Sequence, residues 1–65
     1  MKNTPIDAYL GIIKTEMAVE SLETVNRAYI QQIVLRAGGE QNDVDVILNH
    51  PSVKEIDDDL FYIKI

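Results

Sequence analysis

The stretch Val53-Lys54-Glu55-Ile56-Asp57-Asp58-Asp59-Leu60-Phe61-Tyr62-Ile63-Lys64-Ile65 decides the fold class. Leu60 to Ile65 is rich in aromatic and β-branched residues, and Phe61, Ile63 and Ile65 alternate onto one face, the period of a half-buried strand. Val53 to Ile56 forms a second short strand that pairs with it antiparallel across Asp57-Asp58-Asp59, residue types that tolerate turn conformations. A C-terminal β-hairpin is therefore expected, with Leu60 and Tyr62 on its outward face.

Upstream of the hairpin the period changes to that of helices. His50-Pro51 ends a short helix, because the residue before a proline resists helical angles. Asn42 is expected to cap that helix, with Asp43 and Asp45 in its first turn offsetting the helix dipole, and Val44, Ile47 and Leu48 packing inward. Gly38-Gly39 closes the helix before it, since glycine accepts the left-handed conformation past a helix end.

Between Pro5 and Gly38 two apolar stripes appear. Ile6, Tyr9, Leu10, Ile13 and Met17 form one; Leu22, Val25, Tyr29, Ile33 and Val34 form a second, about 120° around the axis at 100° per residue. A break near Val19 to Ser21 reconciles them, with Ser21 as the next cap, Glu23 in the first turn and a second helix to about Ala37. The alternative is a single long helix wrapped by partners. Thr4, Pro5 and Asp7 make a helix start, with Thr4 as cap and Pro5 at the position that needs no amide hydrogen. Ile12, Val19 and Ile30 fall off both stripes.

The result is an α+β domain spanning residues 1–65: two amphipathic helices, a short third helix and a C-terminal β-hairpin. This order resembles that of winged-helix domains. The resemblance is one of element order, carries no motif residue across, and by itself licenses no function.

With 65 residues and no cysteine, the chain has a single core and neither disulfides nor a thiolate metal site to support it. Its 46% hydrophobic and 26% charged composition is that of a folded chain. No apolar h-region follows Met1-Lys2-Asn3 and no apolar run is long enough to span a bilayer, so a cytoplasmic location without membrane contact is expected. The charge is divided unequally. Residues 1–39 hold four acidic and four basic side chains, whereas residues 40–65 hold seven acidic and two basic ones and carry the whole net charge of −5. Such a field repels nucleic-acid phosphates and attracts a basic partner.

Chemistry-bearing constellations are few. His50 is the single histidine and stands at a helix end without a nucleophile beside it, and is read as structural. The Asp57-Asp58-Asp59 run lacks the spaced ligands and closing glutamate of a calcium loop and is read as a solvated turn; Glu40, Asn42, Asp43 and Asp45 are read as helix-start residues. Gly38-Gly39 follows a helix where a phosphate loop follows a strand. No catalytic, cofactor or metal-ligating residues are assigned, and the chain is not expected to be an enzyme.

The functional expectation is a non-enzymatic protein-binding module, a small acidic adaptor or inhibitor. Its candidate contact residues are Asp57, Asp58, Asp59, Leu60 and Tyr62, an acidic turn beside an exposed aromatic anchor. The partner is another protein, basic in character. The apolar surplus on the helices also predicts a homo-oligomer, which leaves room for a small anion held between chains by Lys14, Arg27 or Arg36. Two alternatives stand beside this: an acidic mimic of nucleic acid that blocks a basic cleft, and a winged-helix-like DNA-binding regulator. Direct nucleic-acid binding is disfavoured because the third helix offers Asp43 and Asp45 and no Lys or Arg.

Overall fold

A computed structural model describes residues 5–64, in the order α1 (Ile6–Val19), α2 (Arg27–Arg36), α3 (Gln41–Leu48), β1 (Val53–Asp57) and β2 (Leu60–Ile63). The α+β class and the winged-helix-like order are those expected from the sequence. Thr4 and Ile65 lie outside the described residues.

The chain between Pro5 and Gly38 forms two helices, and their ends use the same device. At α1 the N–H of Ser21 donates to Ala18 O and that of Leu22 to Met17 O, 3.2 and 2.8 Å; at α2 Gly38 donates to Leu35 O and Gly39 to Val34 O, 3.1 and 2.8 Å. Both are Schellman closures, which place one residue in the left-handed region. Gly38 takes φ 91° at the second, while Ser21 takes φ 58° at the first. A serine thus stops α1 where no glycine punctuates the sequence.

That geometry corrects the expected cap. An N-cap residue has extended angles, so Ser21 at φ 58° closes α1 instead of opening α2. The cap of α2 is Asn26, φ −96° and ψ 175°, whose Oδ1 accepts the N–H of Tyr29 at 2.8 Å. Between the helices Val25 forms an antiparallel bridge to Phe61, exchanging both backbone hydrogen bonds at 3.0 and 2.8 Å. β2 is therefore the middle strand, between β1 and the single residue Val25.

The later helix start also changes which residues are buried. Ile30, read as off the main faces, is wholly buried with Ile33 and Val34, while Leu22 is half-exposed in the connecting loop. The α1 stripe is as expected, with Tyr9, Leu10, Ile13 and Met17 buried; Ile12 and Val19 stay exposed. Two caps differ from expectation. Pro5 is the N-cap of α1, at ψ 151°, rather than its first helical residue. Glu40, not Asn42, caps α3 and forms a capping box with Asp43, whose Oδ2 accepts the N–H of Glu40 at 2.8 Å. Asp45 lies beyond the first turn and pairs with Arg27 at 3.5 Å.

All three helices and the hairpin share one core, into which β1 and β2 contribute Val53, Phe61 and Ile63. His50 is part of the turn that leads into β1. Its Nδ1 accepts the N–H of Ser52 at 3.0 Å, and its Nε2 lies 3.6 Å from Asp7 Oδ1. Among the described residues no helix is long and apolar enough to cross a membrane.

Candidate functional site

The hairpin register is Val53↔Ile63, Lys54↔Tyr62, Glu55↔Phe61 and Asp57↔Leu60, with a bulge at Ile56. β1 thus reaches one residue further than expected, and the connection is two residues, Asp58-Asp59, instead of three aspartates. Residues opposite one another share a face, so Val53, Glu55, Phe61 and Ile63 form the inner face, and Lys54 and Tyr62 the outer one. Leu60, expected to face outward, is half-buried. Its pairing with Asp57 beyond the bulge takes it out of the simple alternation.

The three aspartates differ in what holds them. Asp57 Oδ1 accepts the N–H of Asp58 at 2.7 Å. Asp59, at φ 55°, turns its carboxylate back to the helices, where Oδ1 accepts the N–H of Arg27 at 3.0 Å. It acts as a second cap on the N-terminus of α2, whose positive dipole end favours a carboxylate. The side chain of Asp58 makes no hydrogen bond or ion pair among the described residues, and neither does that of Glu55.

The hairpin and α2 enclose a cleft of about 450 Å³, lined by Arg27, Ala28 and Gln31 from α2 and by Glu55, Asp58, Asp59 and Phe61 from the hairpin. Two of the five candidate residues, Asp58 and Asp59, line it. Asp57, Leu60 and Tyr62 do not. Glu55 belongs with them and was overlooked, although its place two residues after Val53 sets it on the inner face by strand alternation alone.

Tyr62 is 40% exposed. The Lys14 ammonium lies 5.6 Å from its ring centroid and donates a 3.0 Å hydrogen bond to Ile63 O. Val25 and Lys14 between them cover the edge of β2 that faces away from β1. The opposite edge, along β1, is guarded by the charged side chains of Lys54, Glu55 and Asp57 and by the bulge at Ile56, features that discourage strand-to-strand aggregation. Ile56 itself is 52% exposed among these charges.

Elsewhere, Asp45, Val46, Asn49, His50 and Pro51 border a shallow cleft of about 400 Å³ beside α3. Ile12, Glu16, Ile33, Arg36 and Ala37 line a smaller groove between α1 and α2. No group of three or more His, Asp or Glu side chains among the described residues is arranged to hold a metal ion. The chain matches no protein-family model, no curated protein and no solved structure.

Proposed function

We propose that this chain is a non-enzymatic protein-binding module, a small acidic adaptor or inhibitor that takes a basic protein partner on its hairpin and associates with a second copy through its helices. One observation carries the reading: the hairpin leaves the carboxylates of Glu55 and Asp58 without a partner among the described residues and keeps two apolar side chains, Ile56 and Tyr62, exposed. Charge of one sign speeds encounter with a complementary surface, and large side chains at its centre supply affinity.

The two nucleic-acid readings are less well supported. A phosphate mimic needs many unengaged carboxylates, yet Asp43 and Asp59 cap helices, Asp45 pairs with Arg27 and Asp57 closes on its neighbour. A DNA-reading helix needs cations, and α3 contains none.

The test is retention of a partner from host extract on immobilised chain, with wild type beside Asp58→Lys and Tyr62→Ala. A protein held by wild type and lost by both variants supports the reading. Equal retention by all three excludes the hairpin as the contact. A salt series separates the alternatives, since binding to a mimic weakens steeply with ionic strength and an apolar contact does not.

A further inference from the structure

His50 stands where α3 gives way to β1, and the two nitrogens of its ring face different parts of the chain. Nδ1 accepts the N–H of Ser52 at 3.0 Å, and Nε2 lies 3.6 Å from Asp7 Oδ1. A ring nitrogen that accepts a hydrogen bond carries no proton, so the neutral ring holds its hydrogen on Nε2, toward Asp7. The same turn ties down the base of the hairpin. Val53 N–H donates to His50 O at 2.9 Å, and Lys64 N–H donates to Ser52 O at 2.7 Å. Ser52 is thus held at its N–H by the His50 ring and at its carbonyl by the residue that follows β2. The His50 side chain is 25% exposed, which shields the ring yet leaves it within reach of solvent protons.

We infer that His50 is a proton-operated latch on the base of the hairpin, closed when the ring is neutral and released when it takes up a proton from solvent. The inference stands apart from the partner-binding reading above. An imidazolium has two N–H donors and no acceptor, so a protonated His50 no longer accepts from Ser52. Two N–H groups would then point at one another across 3.0 Å, and the ring or the Ser52 N–H must turn away. The charge gained in the same step is drawn elsewhere. Asp7 faces Nε2 from α1, and Asp45 borders the same cleft as His50 from α3, both of them acidic. Lys64 approaches the turn through its backbone N–H. Histidine is the side chain whose charge ordinarily changes between about pH 5 and 8, so the latch operates near neutrality.

The release is confined to one end of the hairpin, because the bonds elsewhere belong to other groups. At the tip, Asp57 Oδ1 accepts from Asp58 and Asp59 Oδ1 accepts from Arg27. In the middle, Phe61 exchanges both backbone hydrogen bonds with Val25. Neither set includes His50 or Ser52. Protonation therefore loosens residues 50–53 and the end of β2 at Lys64, while the tip stays fixed to α2.

The experiment is NMR of the full chain from about pH 8 down to about pH 5, with wild type beside His50→Asn and His50→Ala, each checked for native circular dichroism. Long-range proton–nitrogen correlation of the ring reads the tautomer, and hydrogen exchange, corrected for the pH dependence of the intrinsic rates, reads the Ser52 and Lys64 amides. In wild type the ring hydrogen is expected on Nε2 at the alkaline end. The Ser52 and Lys64 resonances should move with the same midpoint as the ring, and their protection should fall about fivefold in acid, the change for one lost hydrogen bond. Protection of the Arg27 and Phe61 amides should hold. His50→Asn offers Oδ1 near the place of Nδ1 without titrating, so both amides should stay protected throughout; in His50→Ala both should be weakly protected at every pH. A ring hydrogen on Nδ1 at the alkaline end overturns the latch, as does a loss of Ser52 and Lys64 protection that persists in His50→Asn. Wild-type amides that stay protected while the ring titrates overturn it as well, and that outcome needs no variant to fold.

Discussion

Asp59 and Arg27 stand 32 residues apart in sequence, and the carboxylate of the first accepts the backbone N–H of the second at 3.0 Å. The bond ties the hairpin turn to the start of α2 and forms one end of the cleft between them. Asp59 is thus structural before it is functional. Asp59→Ala is expected to lower stability by about 1–2 kcal/mol, through loss of a helix cap at a position of positive φ. Asp59→Asn keeps an acceptor and tolerates that φ, so it is expected to retain most of the stability. Asp59→Gly relieves the backbone but loses the cap, and should fall between them. Urea midpoints of the three variants measure the order.

Glycine and serine positions give a set of opposed expectations. Gly11 is inside α1 with open space at its Cβ, so Gly11→Ala is expected to stabilise the monomer by about 0.5–1 kcal/mol. Ser21→Gly, at φ 58°, is expected to do so by a similar amount, about 0.5–1 kcal/mol. Gly39→Ala has the opposite sign: its Cβ falls 2.5 Å from Val34 Cγ1 and 2.9 Å from the Tyr9 hydroxyl, and overpacking there is expected to cost about 1–3 kcal/mol. Thermal and urea unfolding at one protein concentration check all three.

Among the described residues the Tyr29 hydroxyl is buried without a hydrogen-bond partner. Desolvation first, then the nearby Glu20 and Glu16 carboxylates, raise its pKa above 10.0, with Arg36 opposing. In the fold this phenol keeps its proton at a pH where the unfolded chain has released it, so stability falls as pH rises through and above 10. Tyr29→Phe is expected to gain up to about 1 kcal/mol at neutral pH, because an unpaired polar group is removed. It should also flatten the alkaline loss. An alkaline slope identical in wild type and variant rules out Tyr29 as its source.

Lys14 joins α1 to β2 through Ile63 O and lies over the Tyr62 ring. Lys14→Met keeps the apolar stem and removes the ammonium. A loss of about 1 kcal/mol is expected, together with a shift of the Tyr62 ring resonances by NMR. Unchanged Tyr62 resonances would show that the ammonium does not sit over the ring.

The legible parts of the fold were those governed by local chemistry. The α1 stripe is set by the spacing of Tyr9, Leu10, Ile13 and Met17, the end of α2 by Gly38, and the inward face of the hairpin by the alternation of Phe61 and Ile63. The start of α2 was misplaced because Ser21 is both a good cap and, here, a left-handed closing residue. Composition does not distinguish these roles; the backbone hydrogen bonds of residues 20–22 do. Ile30 was misassigned as a consequence, since moving the helix start moves the buried face. Of the residues that line the cleft, Asp58 and Asp59 were legible from turn chemistry, whereas Glu55, Arg27, Ala28 and Gln31 were not. Nothing in a helical segment tells which strand turn will close against it.

By itself the sequence determined the element types, most of the core, the neutral N-terminal and acidic C-terminal parts, and the presence of an acidic turn beside an aromatic residue. These depend on periodicity and side-chain chemistry within a few residues. The tertiary structure alone decided that Val25 completes the sheet against Phe61, that Asp59 caps a distant helix while Asp58 stays unengaged, and that the His50 ring faces Asp7 at the start of α1. Each depends on contacts between segments far apart in the chain, whose pairing is settled by the packing of the whole core.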